Sequence, residues 1–554
     1  MLIAVAVGIA AGAGVFGFHY LIRGFHIIAE RSRGLLASRY LMPVVTVAGL
    51  LVSAWIIKVL GPEGYGHGIP EVISAVANKR SRIGLKAVLL KTVASALCIG
   101  WGGAVGKIGP VAHLGSALGS LGGRLARLPA HVVKLVVGCG SAAAIAAAFN
   151  APLAGVLFAS EVILREFDVE TIVPIVIASV VGASFSQMFV GDFVVFEIRE
   201  FGSLGAAELP LFVLLGALAG LMSVFFIRTL HLQYDLLKKL PIRWYGRAVV
   251  AGLVVGVVAL RLPEVMGLNY GMITDAFTGE LGLWTMLAVA ALVPLLTGLT
   301  LAGGGSGGVF APSLAAGAAL GGAFGVLCRD TLPWQVSQPG AFAVVGAAAV
   351  LAGALRAPFT AVLIVMEVTR NQAILLPLMA AAVVSIFVSK AFLSDSIYLL
   401  RLTRRGETVT HHEEIGLLGN MYVEEVMTAD YVAVGPDEPA SRLMELSRRE
   451  ERDFFPVVNR DGEFEGTVSA RELVSVARDD KAASEARVSD FTHEEALLLT
   501  PGQDLLEAFR EFGLRDISAL PVVDSPGSRK LVGVVMRRDL LARYRREQRL
   551  RKRI

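Results

Sequence analysis

The chain has 554 residues, of which 55% are hydrophobic and 18% are charged, and this length and composition exclude a single soluble domain. A mean hydropathy of +0.65 and a content of 60 glycines are typical of a membrane protein. The net charge of +4 is small, and the basic end at 543–554 favours a solvated tail near a lipid surface over a nucleic-acid-binding arm.

A hydropathic body runs from the first residue to about Leu400, and a charged region follows it. Residues 1–12 continue into a full-length apolar run, which predicts a first membrane helix rather than a cleaved signal peptide. The later runs that are long enough to span about 30 Å of hydrocarbon are 41–60, 172–190, 209–232, 284–301 and 375–393.

Other apolar runs are short or are interrupted by glycine and proline, namely 68–78, 106–118, 152–164, 308–322 and 358–370. They are predicted to be half-helices, which a membrane tolerates only where protein or a water-filled cavity satisfies the free backbone groups. The N-terminus of such a helix presents unpaired N–H groups and the positive end of the helix dipole, and it binds anions. The predicted fold is an all-α polytopic membrane domain with about 16 to 18 helical pieces.

The membrane body contains an internal repeat. Residues 102–120 are echoed at 304–322, and residues 140–162 are echoed at 346–368. This predicts two repeats of inverted topology, at roughly 1–200 and 205–400, with an anion site between them. Among the positions at which the two copies of the first echo differ, Ile108 in one matches Phe310 in the other.

Three helix starts share one chemistry, in which glycine allows close approach of the backbone and proline suits the first helical turn. Their sequences are YGHGIP at 65–70, GKIGP at 106–110 and GVFAP at 308–312. Together and in this order they resemble the motifs GSGIP, G(K/R)EGP and GxFxP of the CLC family of chloride channels and chloride/proton antiporters. The resemblance extends to the Ser-Ile-Tyr sequence at 396–398 and covers 1–405.

This resemblance implies that chloride or another small anion is held by the backbone N–H groups of Val309 and Phe310 and by the hydroxyl of Tyr398. The serine that binds chloride in the family motif is replaced by His67. Imidazole is a larger donor that can also become charged, so His67 is expected either to replace the hydroxyl or to turn away into a packing contact. His113, further along the second half-helix, is expected to line the pathway or to pack.

Two further replacements remove carboxylates that the family pattern contains. Ile108 stands at the position of the gating glutamate, and Val162 stands at the position of the proton-relay glutamate. The remaining Glu161 has a counterpart in Glu367 of the second repeat, which favours a structural role for both. The resemblance therefore implies passive anion conduction. The alternatives are an antiporter with a non-standard proton route and a non-transporting membrane sensor.

Two lysines in apolar surroundings are candidates for a functional role, because a charge inside a membrane is costly unless it faces water or protein. Lys107, between Gly106 and Gly109, is predicted to lie at the entrance of the anion pathway or to form a structural ion pair. For Lys91, electrostatic support of the anion site from a distance is favoured over the alternative that its side chain snorkels to the membrane surface.

The charged region after the membrane body has its own repeat. FPVV and GTVS at 455–469 match LPVV and GVVM at 520–536, with helical patterns between the strands. These units resemble a tandem pair of CBS modules, at 423–480 and 485–547, joined to the membrane domain by a linker at 406–422 and followed by a basic tail at 548–554. The family's nucleotide-binding pattern is incomplete, so Ser469, Glu472 and Asp539 are only candidates for an adenine nucleotide. A regulatory or dimer-stabilising role is favoured.

The remaining candidates have plainer interpretations. Cys98, Cys139 and Cys328 have no metal-type spacing and are predicted to be buried packing thiols. The cluster at 411–414 (HHEE) resembles a metal site only in composition and is predicted to be solvated linker. No nucleophile–base pattern indicates an enzyme, and no cofactor or metal is required. Family precedent implies a homodimer in a bacterial-type inner or plasma membrane with cytoplasmic CBS modules and an interface along 152–164, 171–190 and 358–390.

Overall fold

The fold is known from a computed structural model. It describes residues 1–35, 39–60, 68–78, 81–191, 195–196, 198, 208–239, 241–333, 336–405, 407, 421–450, 452–470, 486–493, 497–514 and 517–551. The chain divides into two compact units, Met1–Val409 and Thr410–Ile554.

The first half of the membrane unit contributes eight of the described helices. They are α1 (Leu2–Leu35), α2 (Met42–Trp55), α3 (Ile69–Asn78), α4 (Leu85–Gly100), α5 (Ile108–Leu125), α6 (Ala130–Phe149), α7 (Pro152–Leu157) and α8 (Val169–Val190). Two of them continue as π-helical stretches, α2 through Ile56–Leu60 and α7 through Phe158–Leu164.

The second half repeats this series. Its described helices are α9 (Leu209–Lys239), α10 (Trp244–Ala259), α11 (Tyr270–Thr278), α12 (Leu283–Ala302), α13 (Phe310–Thr331), α14 (Pro339–Leu355), α15 (Pro358–Thr369), α16 (Leu375–Phe392) and α17 (Leu399–Thr403). Helix α5 packs on α6 as α13 packs on α14, and α1 packs on α8 as α9 packs on α16. The predicted class of two-repeat, all-α membrane domain is confirmed.

Helices α6 and α14 form the core of the two repeats. Nearly all of α6 and every residue of α14 are buried. Both are built mainly from alanine, glycine and valine, which allow close approach of neighbouring helices. Each ends in a left-handed residue, Asn150 with φ 53° and Arg356 with φ 61°, and this turn redirects the chain into the proline that opens the next helix.

Eight described helices are long and apolar enough to cross a membrane, and α1 is one of them. Two of the predicted half-helices are longer than expected. Helix α5 has 18 residues and α13 has 22, and α13 is itself among the candidate spans. The predicted ends at 118 and 322 are wrong because no proline follows until Pro129 and Pro333, and small residues continue to pack against the next helix.

The second unit holds two similar modules. In the first, α18 (Ala440–Glu450) precedes the antiparallel pair β1 (Phe454–Val458) and β2 (Phe464–Ser469). In the second, α19 (Leu505–Leu514) precedes the antiparallel pair β3 (Ala519–Val523) and β4 (Leu531–Met536), which α20 (Arg537–Arg551) follows. Parallel bridges from Val434 to Val457 and from Leu499 to Val522 complete the predicted β-α-β order. Each module has its own apolar core.

Candidate functional site

The two glycine-rich helix starts contact each other directly. The N–H of Gly106 donates to the carbonyl of Gly308 at 2.7 Å, and the N–H of Gly308 donates to the carbonyl of Gly106 at 2.7 Å. This pair of bonds is an antiparallel bridge. The two equivalent segments therefore run in opposite directions, as inverted repeats require, and the bridge joins the start of α5 to the start of α13.

The two helix starts can approach this closely because Gly106 and Gly308 have no side chains. A Cβ atom on Gly308 would lie 2.7 Å from the amide nitrogen of Gly109, and one on Gly106 would lie 3.0 Å from the Cβ of Ala311. Such contacts are closer than real Cβ atoms normally make. The glycines of the two motifs therefore set the spacing between the two helix starts.

The starts of α5 and α13 keep N–H groups available. Neither helix has a side-chain N-cap, and neither has an acidic residue in its first turn. The first N–H groups of a helix lack intrahelical acceptors and lie at the positive end of its dipole. Ile108, Val309 and Phe310 are all buried, with Ile108 and Phe310 0% exposed. This arrangement can bind an anion without a cationic side chain.

The third motif packs on the second. Gly68 has φ +92°, and a Cβ there would lie 2.6 Å from the carbonyl oxygen of Gly109. A side chain is therefore excluded both by the left-handed backbone and by the contact. His67 lies outside the described residues, so its predicted role at the anion site stays a prediction. His113 is buried on α5, and its Cβ lies 3.3 Å from the position that a Cβ on Gly68 would take. Its Nδ1 is buried and has no hydrogen-bond partner in the described part of the chain.

Tyr398 lies immediately before α17 and is 1% exposed. Its hydroxyl is buried and has no hydrogen-bond partner among the residues that the structure describes. A buried hydroxyl without a partner is costly. The neighbouring N–H of Ile397 is held by the carbonyl of Ala354 at 2.9 Å, and α17 packs on α3. The hydroxyl can therefore donate a hydrogen bond to a ligand.

Lys107 precedes α5 and carries its charge among aromatic rings. Its Nζ lies 5.2 Å from the ring centroid of Tyr270 and 5.9 Å from that of Phe149, and it donates to the carbonyl of Ala148 at 3.4 Å. Cation–π contacts of this kind partly replace hydration. No carboxylate of the described residues forms an ion pair with Lys107. Tyr270, whose ring lies near the Lys107 amine, also lines a cavity of about 750 Å³.

Lys91 belongs to a buried charge cluster. Its Nζ lies 3.7 Å from Oε2 of Glu71, and Oε1 of the same carboxylate lies 3.4 Å from Arg405. Glu71 also accepts the N–H of Gly68 at 2.8 Å and so sits at the N-terminus of α3, where a carboxylate is favourable. The cluster carries one more positive charge than negative. The predicted electrostatic support from Lys91 therefore stays a prediction, with Glu71 offsetting part of it.

Glu161 and Glu367 each bind the N-terminus of a helix in the opposite repeat. Glu161 accepts the N–H of Thr360 at 2.8 Å and that of Phe359 at 3.3 Å, at the beginning of α15. Glu367 accepts the N–H groups of Ala154 at 2.7 Å and Leu153 at 3.0 Å, at the beginning of α7. The prediction that both carboxylates have structural roles is confirmed. Val162, beside Glu161, is buried and apolar.

The predicted nucleotide candidates occupy separate elements of the second unit. Ser469 ends β2, and Asp539 lies in the first turn of α20 with an oxygen 3.7 Å from Nε of Arg538. Glu472 lies outside the described residues. The described residues therefore do not test a site made of all three, and the adenine nucleotide stays a prediction.

The three cysteines and the predicted 411–414 linker cluster lie outside the three helix-start motifs in the sequence. Cys98, Cys139 and Cys328 are free and buried, which confirms them as packing thiols. The described residues contain no group of three or more His, Cys, Asp or Glu side chains that could hold a metal ion. The 411–414 cluster lies outside the described residues.

Sequence reasoning missed Glu71, which joins the third motif to Lys91 and Arg405. A signal was present, because an acidic residue directly after the proline of a helix start is a typical first-turn residue. It also missed Arg401 in α17 and Arg404 and Arg405 directly after that helix.

A duplicated helical fold with two uncapped, glycine-rich helix starts in contact defines a membrane protein that handles small anions. The family described as "Voltage gated chloride channel" matches residues 48–390, and the family described as "CBS domain" matches 423–479 and 488–546. The chain belongs to the voltage-gated chloride channel family, the CLC family, and carries two CBS domains. Members of this family transport anions across membranes.

Relatives within the family bear two kinds of name. The chain is 30% identical to an "H(+)/Cl(-) exchange transporter ClcA" of Vibrio cholerae, over 73% of this chain and 89% of the relative. It is 28% identical to a "Putative chloride channel protein ClcB-like" of Ralstonia nicotianae, over 73% of this chain and 96% of the relative.

Solved structures show the same fold. A slow cyanobacterial Cl-/H+ antiporter aligns with a TM-score of 0.67 and 26% identity, covering 73% of this chain and 97% of the other. A eukaryotic CLC transporter aligns with a TM-score of 0.66 and 23% identity, and it covers 97% of both chains. The second alignment supports the fold of the chain over both of its units.

Proposed function

We propose that the protein conducts chloride passively, without coupled proton movement. The observation that carries this proposal is Ile108, a buried apolar residue at the uncapped start of α5, where the family pattern has a titratable carboxylate. Isoleucine neither binds a proton nor occupies an anion site. Val162 supports the same proposal, because the family's second proton station is also replaced by an apolar side chain.

The proposed anion ligands are the N–H groups of Val309 and Phe310 and the hydroxyl of Tyr398, with His67 as a further candidate. The uncapped start of α13 and the buried hydroxyl, which has no partner in the described part of the chain, support this choice. Lys107 adds a positive potential beside the start of α5. Such a potential raises the local concentration of anions along a narrow path.

Two alternatives remain distinct from passive conduction. Several relatives are named H(+)/Cl(-) exchange transporters, which favours an antiporter with a different proton route. His113, buried beside the α3 start, is a titratable group that such a route would use. A non-transporting sensor is the second alternative, in which Ile108 closes the path and the CBS domains act as the output.

Family precedent supports a homodimer with one pathway in each subunit. The predicted interface carries large exposed apolar side chains, including Phe359 on α15 and Leu376 and Phe387 on α16. We place the protein in a bacterial-type plasma membrane with the CBS domains in the cytoplasm, where they stabilise the dimer or regulate conduction. An adenine nucleotide is the candidate ligand of these domains.

Chloride efflux from proteoliposomes tests whether the chain transports at all. We expect the wild-type protein to release chloride when a potassium ionophore balances the charge. The Gly308→Ala variant should lose this flux, because its Cβ would lie 2.7 Å from the amide nitrogen of Gly109. Gly17→Ala is the matched control, because a Cβ there has nothing within 4 Å. A wild type without flux would favour the sensor and contradict the proposal.

A further inference from the structure

A strongly basic cleft lies at one end of the membrane unit. It has a volume of about 380 Å³ and lies between the end of α2, the second half of α9, the start of α10, the end of α12 and α17. One carboxylate, Asp235, lines it. The Lys and Arg side chains that line it are Lys58, Lys238, Arg247, Arg401, Arg404 and Arg405.

The corresponding cavity of the first repeat shows that the fold does not require this charge. It is the cavity of about 750 Å³ next to Tyr270, formed by α1, the start of α2, the end of α4 and the segment before α11. His26 and Glu30 on α1 match His231 and Asp235 on α9 with the same four-residue spacing. The first cavity contains one arginine, no lysine and two glutamates. Of these two cavities, the one between α9 and α17 is therefore the basic one.

The cations of the cleft exceed the carboxylates that pair with them. Arg404 lies 3.0 Å from Asp235, and Arg405 pairs with Glu71. Arg401 stacks on the ring of Tyr234 at 5.2 Å and forms no ion pair with a carboxylate of the described chain.

Arg247 provides an independent sign of a missing ligand. It donates to the carbonyl of Lys238 at 3.3 Å, but its Nε is buried and has no hydrogen-bond partner among the described residues. A buried guanidinium nitrogen without an acceptor is unfavourable. An anion with several oxygens would satisfy it together with the neighbouring cations.

The surroundings of the cleft place it at the level of lipid headgroups. Trp244 lines the cleft, and Tyr245 beside it is half exposed, as aromatic residues at a membrane–water interface often are. Leu232 and Leu236 on α9 are 55% and 50% exposed and offer an apolar surface next to the basic residues. A ligand with a charged head and an apolar tail matches both features.

We propose that this cleft binds the phosphate of an acidic phospholipid headgroup, a function beyond anion conduction. Phosphate has several acceptor oxygens and matches converging arginine and lysine donors better than a single halide does. Basic pockets between membrane helices are suited to such headgroups. Soluble phosphate has the same recognition chemistry, so the experiment separates the two sources.

Lipid binding to the full-length protein in neutral detergent tests the proposal, with cardiolipin, phosphatidylcholine and pyrophosphate titrated separately. We expect cardiolipin to bind and phosphatidylcholine not to bind. The double variant Lys238→Gln/Arg247→Gln should weaken cardiolipin binding by about twenty-fivefold, at about fivefold for each lost charge. The control is Lys239→Gln, the neighbouring lysine outside the cleft, which should change binding by less than about twofold.

The outcomes assign the source of the phosphate or overturn the site. Pyrophosphate binding that the double variant loses would assign the cleft to soluble phosphate and retain its phosphate chemistry. Cardiolipin binding that is equal in wild type, the double variant and Lys239→Gln would overturn the proposal. Absence of binding by both phosphate compounds would overturn it as well. Chloride efflux of each variant, measured in parallel, shows that the protein is folded.

Discussion

Replacement of Ile108 by glutamate is expected to lower chloride flux at neutral pH by roughly tenfold. A carboxylate at the uncapped start of α5 would lie at the positive end of the helix dipole and compete with chloride there. Such an interaction is worth about 1–2 kcal/mol, which corresponds to roughly a tenfold change in occupancy. Because a carboxyl has an ordinary pKa of about 4.3, acid pH should protonate the new residue and restore part of the flux.

The control for this result is Ile108→Gln, which has the shape of glutamate without its charge. Stopped-flow or electrode measurements of chloride efflux from proteoliposomes would compare the two variants over a range of pH. We expect only the glutamate variant to depend on pH. Equal flux in the two variants at every pH would show that position 108 does not face the anion pathway.

Removal of the Glu161 carboxylate is expected to destabilise the membrane unit by about 2–4 kcal/mol. Its oxygens accept the N–H groups of Phe359 and Thr360 and the hydroxyl of Thr360, the last at 2.6 Å. In Glu161→Ala these donors at the start of α15 would lose their acceptor in an apolar environment. Thermal unfolding of the purified full-length protein in detergent measures the effect.

The matched control is Glu170→Ala, which removes an exposed carboxylate from the first turn of α8. It should change stability by less than about 1 kcal/mol. Glu367→Ala should resemble Glu161→Ala, because Glu367 makes the same contact with α7. If Glu161→Ala were as stable as Glu170→Ala, the contacts of Glu161 and Glu367 with helices of the opposite repeat would not hold the two repeats together.

Much of the fold could be predicted because its signals are local. Glycine and proline mark the start of α5 and α13, and the two sequence echoes indicate the repeat. The ends of these helices could not be predicted in the same way. They depend on packing of small residues against α6 and α14, which are among the most buried helices of the unit.

The candidate site was predictable in part for the same reason. The motifs identify Ile108, Val309 and Phe310, but the hydrogen bonds between Gly106 and Gly308 join residues that are far apart in the chain. Repeat symmetry was enough to predict structural roles for Glu161 and Glu367. It did not identify their partners, because each carboxylate binds a helix of the opposite repeat.

The basic cleft was not predictable from any single segment. Its cations come from the π-helical end of α2, from α9 and α10, and from α17 and the residues directly after it, and each looks like an ordinary helix-end lysine or arginine in the sequence. Only the packed helices bring these charges around one space. The equal spacing of His26 and Glu30 on α1 and of His231 and Asp235 on α9 does, however, relate the two cavities, and it makes the charge difference between them visible.

The central claim is that the anion pathway works without proton coupling, and the reversal potential of the purified wild-type protein tests it most directly. In a planar bilayer with a fixed chloride gradient, the current should reverse at the chloride equilibrium potential. Addition of a pH gradient should leave this potential unchanged. A reversal potential that moves with the pH gradient would show coupled chloride/proton exchange and contradict the account.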